Sequence, residues 1–398
     1  MVNRELPELG SCLAKCFNNC ILTNAFPNEL TWADVIPVHK KDSSTDKSNY
    51  RPISLLPAFS KVFERLIYNQ LIVFFETKLS KFLCGFRKRY STQHALFNLL
   101  KNWQNSTDHH KKVGTLLMDL SKAYDTLPHD LLIAKLAAYG LEYNSLKFLY
   151  SYLSNRKQRV RIGSALSDWL LILLGVPQGS ILGPILFNIF INDLLLFIDE
   201  SKICNFADDN TLSAFDKSIP NLVAKLEIDA NIAITWFNNN SMIANPTKFQ
   251  FMIIGDRSNS VIEILVDGQT IQNSDTVKLL GVTFDSHLTF LPHATKMCKS
   301  VNQRTNALNR IRDNLSQEKA SQLGNSFILS IFNYCPIIWM FCNKTANSLI
   351  DRTHKRALRV IHNDPLISYE DVLMYTGSNC PHTRNLEILM VEVYKYIY

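Results

Sequence analysis

Residues 203–215 read ICNFADDNTLSAF. Two aspartates, Asp208 and Asp209, stand side by side between two short apolar runs, Ile203 to Ala207 and Thr211 to Phe215. Each run has the length and composition of a strand, and the acidic pair falls where a hairpin would turn. Alone the pair carries little weight, because acidic turns are common on protein surfaces.

Two other stretches change that weight. In residues 116–125, LLMDLSKAYD, the apolar run Val113 to Met118 ends at Asp119, and a carboxylate closing a buried strand is costly unless it meets a cation. Residues 175–180, GVPQGS, place Gln178, a donor and an acceptor, between glycines that let backbone approach a ligand closely. Clustered carboxylates repel one another unless divalent cations neutralise them. All-oxygen sites of this kind suit Mg²⁺, and two such ions about 3.5–4 Å apart can clamp the attacking and leaving oxygens of a phosphoryl displacement.

In order and spacing, Asp119 to Asp125, Gly175 to Pro184 and Phe206 to Asp209 resemble the core motifs of reverse transcriptases, and most closely those of non-LTR (LINE-type, Jockey-like) retrotransposons. Asn49 to Leu56, Gly85 to Thr92, Asn245 to Lys248 and Leu280 to Val282 extend the resemblance over nearly the whole chain. It implies an α+β right-hand polymerase fold, with fingers, a palm whose antiparallel sheet carries the acids, and a helical thumb. The implied divisions are fingers over 1–110, palm over 111–290 with a fingers insertion at about 126–170, and a truncated thumb and C-terminal region over 291–398. The implied activity is RNA-directed DNA synthesis from dNTPs on an RNA template and DNA primer, with two Mg²⁺ ions that Mn²⁺ can replace.

The resemblance also assigns roles. Asp119 and Asp208 match the main catalytic metal ligands, Asp209 the third acid, and the Leu120 carbonyl a further metal contact. Tyr124 stands where a bulky ring excludes a 2′-hydroxyl. Gln178 would meet the incoming nucleotide or the template beside it. Arg51, with Lys40 and Lys41, would hold the triphosphate, and Lys248 would protonate the leaving pyrophosphate. Leu280-Gly281-Val282 resembles the hairpin that grips the primer. Asp125 reads as structural, capping the turn after it, and Asn210 replaces the commoner Thr after the acids.

The remaining composition is compatible with this reading. The chain has 398 residues, 46% hydrophobic and 19% charged, which argues against disorder and allows several cores. The formal net charge of +7 suits a polyanionic partner or a solvated surface equally. Basic clusters at Arg87 to Arg89, at Arg156 to Arg161 and at Arg352 to Arg359 suit a phosphate backbone. Nine cysteines, an odd number without a Cys-x-x-Cys pair, read as reduced thiols. With no secretory signal pattern, the expected location is the nucleus, with a cytoplasmic ribonucleoprotein stage. Trp169 to Asn192 runs about 24 residues without a charge. Its glycines and prolines point to a buried strand, a loop and a buried helix and away from a membrane span. Helices are expected over 60–75, 92–103, 130–139, 145–153, 184–197 and 222–238, and strands over 32–38, 113–118, 249–254, 261–266 and 277–284. Relatives carry an N-terminal endonuclease, and nothing before Trp32 is long enough for one, so a fragment of an element or a decayed copy is expected; the alternative function is an inactive reverse-transcriptase-like remnant that only binds nucleic acid. An RNA-dependent RNA polymerase shares the palm, but Tyr124 argues against it. A group II intron maturase lacks support from any added RNA-binding domain.

Overall fold

The computed structural model describes residues 6–40, 43–256, 258 and 260–397. It is a mixed α+β chain whose contacts form two compact units. The first comprises the chain up to Lys88, Met118–Asn210 and Ile228–Lys248; the second comprises Arg89–Leu117, Thr211–Glu227 and the chain from Phe249.

In the first unit, helix Ala58–Phe75 buries Phe63, Ile67, Leu71 and Phe75, one face of a 3.6-residue period. Apolar period alone would bury Val62, Phe63, Leu66, Ile67 and Leu71 together, and the stripe is shifted from that. Val62 and Leu66 point outward, and Ser60 and Glu64 take the buried face. Phe63 stacks on Phe17 at 4.3 Å and on Phe26 at 5.3 Å, and Phe26 meets Tyr152 edge-on at 5.0 Å. Strands Trp32–His39 and Tyr50–Leu55 pair antiparallel with Val38 opposite Arg51, and the first also pairs parallel with Lys157–Ile162. Tyr50–Leu55 and Lys157–Ile162 were not foreseen as strands, because charged residues and Pro52 interrupt their apolar alternation.

The uncharged segment resolves differently from expectation at its start. Its strand is only Leu170–Leu171 and both residues are exposed, whereas helix Leu182–Ile191 is almost wholly buried. Ten residues cannot span a bilayer. Among the described residues no helix is long and apolar enough to cross a membrane.

The second unit holds all of strand Gln250–Ile254 and most of Lys112–Met118 and Asp209–Asp216, which neighbour one another in that order. The first two pair antiparallel, with Phe251 opposite Leu116. Helix Thr92–Asp108 buries Trp103, whose indole N–H donates to Ser213 Oγ at 3.0 Å. Residues 277–284, expected as one strand, form a hairpin, Thr276–Leu279 with Val282–Asp285. Leu280 and Gly281 turn it with φ of 45° and 85°, the two positive values that a two-residue turn matched to strand twist requires. The long helices Leu291–Ile311 and Lys344–His362 follow.

Candidate active site

The candidate site lies within the first unit. Asp119 follows the last residue of strand Lys112–Met118 and precedes a two-residue ladder in which Leu120 faces Ala244 and Ser121 faces Ile243. Asn245 N–H donates to the Asp119 carbonyl at 3.1 Å, extending that ladder. The chain then turns through Pro246–Lys248 and carries the Lys248 ammonium to 3.8 Å from Asp119 Oδ2. Both side chains stay largely open to solvent, so this is a loose, screened pair.

Asp208 occupies the turn after strand Lys202–Phe206, and Asp209 opens the strand that follows. Ala207 is left-handed at φ 57°, which sharpens the bend. Buried Asn205 and Asn210 brace it. Their side chains bond to each other, and Asn210 Nδ2 donates to the Asp208 carbonyl at 3.0 Å. Asn210, which departs from the family's commoner Thr, thus supports the turn directly. A second brace comes from Gly85: a Cβ there would lie 2.4 Å from Ala207 N. Asn188, on the buried helix, donates to the Gly85 carbonyl at 2.7 Å.

The electrostatics show that the three acids share one field. Burial, and then the Asp119 carboxylate, raise the Asp208 carboxyl, while Lys40 and Arg51 pull it down. Burial, followed by Asp208 and Asp119, pushes Asp209 up to about 6, although its surface opens to solvent. Like charges that raise one another are what a cation would relieve. Among the described residues no three His, Cys, Asp or Glu side chains are gathered into a ready ligand cluster.

Tyr124 lies beside the acids. Its ring stacks on Phe187 at 4.5 Å and meets Phe86 edge-on at 6.4 Å. Its hydroxyl is buried without a hydrogen-bond partner, and burial together with Asp208 pushes it far above the ordinary phenol range. The Gly175–Ser180 loop is fastened on both sides. Gly175 N–H and Val176 N–H donate to the carbonyls of Leu127 and Tyr124 at 2.7 and 2.8 Å. Gly175 lies so close to Asp125 that a Cβ would meet its backbone at 2.7 Å. Ser54 N–H donates to the Gln178 carbonyl at 2.8 Å, and Gln178 Nε2 donates to Asp125 Oδ1 at 2.9 Å. Asp125 therefore holds Gln178 and does not cap the turn after it.

Beneath this loop sits Glu64, which carries no motif. Its carboxylate is fully buried and accepts from Ile181 N–H at 2.6 Å, Leu182 N–H at 3.2 Å and Ser60 Oγ at 3.1 Å. It caps the start of helix Leu182–Ile191. Burial raises its carboxyl, and the two amides and Arg156 oppose that rise. A charge one place after Phe63 on an apolar face was the available signal.

Lys40 and Arg51 are exposed at one end of the first strand pair, where Lys40 N–H donates to Asn49 O at 2.8 Å. Lys41 lies outside the described residues. Arg87, expected to meet nucleic acid, is instead buried: it pairs with Glu76 at 2.7 Å and donates to the Ser80 and Leu83 carbonyls. Arg89 is exposed in the second unit. Gly281, also in that unit, lies under Tyr334, whose hydroxyl donates to Leu280 O at 2.6 Å. The basic cluster from Arg156 is largely engaged within the fold. Arg156 is fully buried, and Arg159 and Arg161 pair with Asp34 at 2.8 and 3.4 Å.

Residues 38–284 match the family model described as reverse transcriptase (RNA-dependent DNA polymerase). The chain is 30% identical over 305 residues to the RNA-directed DNA polymerase from mobile element jockey of Drosophila melanogaster, covering 74% of this chain and 33% of that protein. It is 28% identical over 369 residues to the probable RNA-directed DNA polymerase from transposon BS of the same fly, covering 89% and 40%. The chain thus spans well under half the length of these curated relatives. In fold it is similar to apo telomerase from Candida tropicalis, with a TM-score of 0.50 at 10% identity over 92% of this chain and 64% of that one.

Proposed function

This chain belongs to the reverse transcriptase family of non-LTR retrotransposons and has its α+β right-hand polymerase fold, and on that footing we propose that it is an RNA-directed DNA polymerase. The observation that carries the proposal is the match of residues 38–284 to the reverse transcriptase family model, a span that contains Asp119, Asp208 and Asp209. The all-oxygen donor set and its mutual repulsion, offset only in part by Lys40 and Arg51, fit divalent cations, Mg²⁺ with Mn²⁺ as a substitute. Asp119, Asp208 and Asp209, with the Leu120 carbonyl, would hold them. When bound, such ions supply the positive charge that favours attack by a primer 3′-hydroxyl and departure of pyrophosphate.

The chain's own residues do the positioning. Lys40 and Arg51, the two cations felt by Asp208, draw the triphosphate of a dNTP toward the acids. The Tyr124 ring, stacked on Phe187, would stand against the sugar and exclude a 2′-hydroxyl. This selects dNTP over rNTP and disfavours the RNA-polymerase reading. The Lys248 ammonium, in a loose pair with Asp119, would give a proton to the leaving group. Prepaid orientation and fixed charge are the main sources of acceleration. Gly281 and Arg89 would meet the primer and the duplex backbone, an RNA template paired with a DNA primer. Fingers over 1–110, palm over 111–290 and thumb over 291–398 remain the division we propose, with a nuclear site of action. No observation favours the inactive, binding-only alternative.

The test is primer extension by the purified chain on an RNA template with dNTPs and Mg²⁺, alongside Asp208→Ala. Extension that disappears in the variant supports the proposal. Folded wild-type protein that binds the duplex and never extends the primer refutes it.

A further inference from the structure

Gln178 has two kinds of atom to offer, an N–H donor and a carbonyl acceptor, and the structure determines which one is available. Its main chain is pinned through the bond from Ser54 N–H to its carbonyl, and Gly179 sits against Ser54 O, where a Cβ would approach to 2.8 Å. Its side chain is pinned by Asp125, which receives Nε2 at 2.9 Å. Burial raises the Asp125 carboxyl, the Gln178 amide and Lys122 oppose that rise, and in its ionised form the carboxylate can only accept hydrogen bonds. The amide nitrogen must therefore turn toward Asp125, and the amide oxygen is left over. No hydrogen bond among the described residues uses that oxygen. Asp125 is itself held rigidly, with its N–H on Lys122 O at 2.8 Å and its backbone against Gly175. It directly follows Tyr124, so its placement is tied to the sugar-facing ring.

We propose that Asp125 is a positioning residue that fixes the Gln178 amide with its oxygen outward, so that Gln178 acts as an acceptor for a hydrogen-bond donor on the incoming nucleotide. This rests on the reading of the chain as a polymerase and adds to it a residue and a polarity. An asparagine at 125 keeps the shape but can offer either a donor or an acceptor. The Gln178 amide then loses its enforced orientation and presents the wrong atom part of the time.

The experiment is a double-mutant cycle with Asp125→Asn, Gln178→Ala and the pair, read as single-dNTP incorporation on an RNA-templated primer with Mg²⁺. Asp125→Asn is expected to raise the dNTP KM roughly tenfold while kcat stays near wild type, as for lost binding that does not grow in the transition state. In the Gln178→Ala background the same change should add nothing, because residues acting through one another are not additive. An equal further loss in that background overturns the proposal, since Asp125 would then support the fold and not Gln178. A second readout does not need activity: exchange of the Gln178 side-chain amide protons by NMR. Slow exchange in wild type that becomes fast in Asp125→Ala is expected, and fast exchange in wild type overturns the proposal. If wild type fails to incorporate dNTP, the polymerase reading falls, and the exchange measurement still judges the positioning of Gln178.

Discussion

Replacing Gly85 with alanine would drive a methyl group into the turn that carries Asp208. The added Cβ would lie 2.4 Å from Ala207 N, 3.1 Å from its Cα and 3.3 Å from Phe206 C. All three are backbone atoms, so no side chain can swing aside. Neither wall is free to retreat, because Gly85 O is held by Asn188 and Cys84 N–H by Asn205 O at 2.8 Å. Restoring ordinary van der Waals separation needs a shift of about 1 Å. Overpacking of this kind costs about 1–3 kcal/mol. A displacement of about 1 Å at a catalytic group costs on the order of 100-fold in rate. The assay is single-nucleotide incorporation per folded molecule, with thermal melting run on the same samples. Gly10→Ala is the control, since nothing lies within 4 Å of its added methyl. A Gly85→Ala protein that keeps wild-type melting and a rate within about twofold of wild type would falsify the claim that this contact sets the turn.

Glu64→Ala leaves the Ile181 and Leu182 amides and buried Arg156 without their carboxylate. A loss of about 3–5 kcal/mol is expected, and unchanged denaturant unfolding would count against it. Arg87→Ala should weaken the fold while the salt dependence of duplex binding stays as it was. Arg89→Ala should lower the log–log salt slope by about 1. Binding titrations at several salt concentrations separate the two, and a reversed pattern would put Arg87 back at the nucleic-acid surface. His293 and His354 are each held down to about 4, from 6.5, by burial first and a nearby cation second, Lys296 and Arg384 respectively. Their unfolded forms take up protons that the folded forms refuse. Their contribution to stability therefore falls as pH drops from about 6.5 toward 4 and levels off below, by on the order of 3 kcal/mol each. His293→Asn should melt with a shallower pH dependence across that window, and an unaltered slope would show that His293 is not responsible.

The family was readable because its motifs are contiguous. Asp119 with Tyr124, Gly175 to Ser180 and the Asp208-Asp209 pair each depend on local order, and the apolar periods around them place helices and strands within a few residues. Period alone misses what non-local packing decides. It shifted the buried stripe of helix Ala58–Phe75, because Glu64 is stabilised there by amides more than 115 positions away in the chain. It took 277–284 as one strand, because only the two positive φ values at Leu280 and Gly281 reveal the turn. Charge alone let the clusters at Arg87 and Arg156 suit a phosphate backbone or a solvated face, because a basic residue in sequence does not say whether its partner is solvent or a buried carbonyl. In sequence, Asp125, Gln178 and Gly85 are motif letters. Which of them touch, and through which atoms, was decided by the tertiary structure, since hydrogen-bond polarity and close backbone approach exist only between segments that folding brings together.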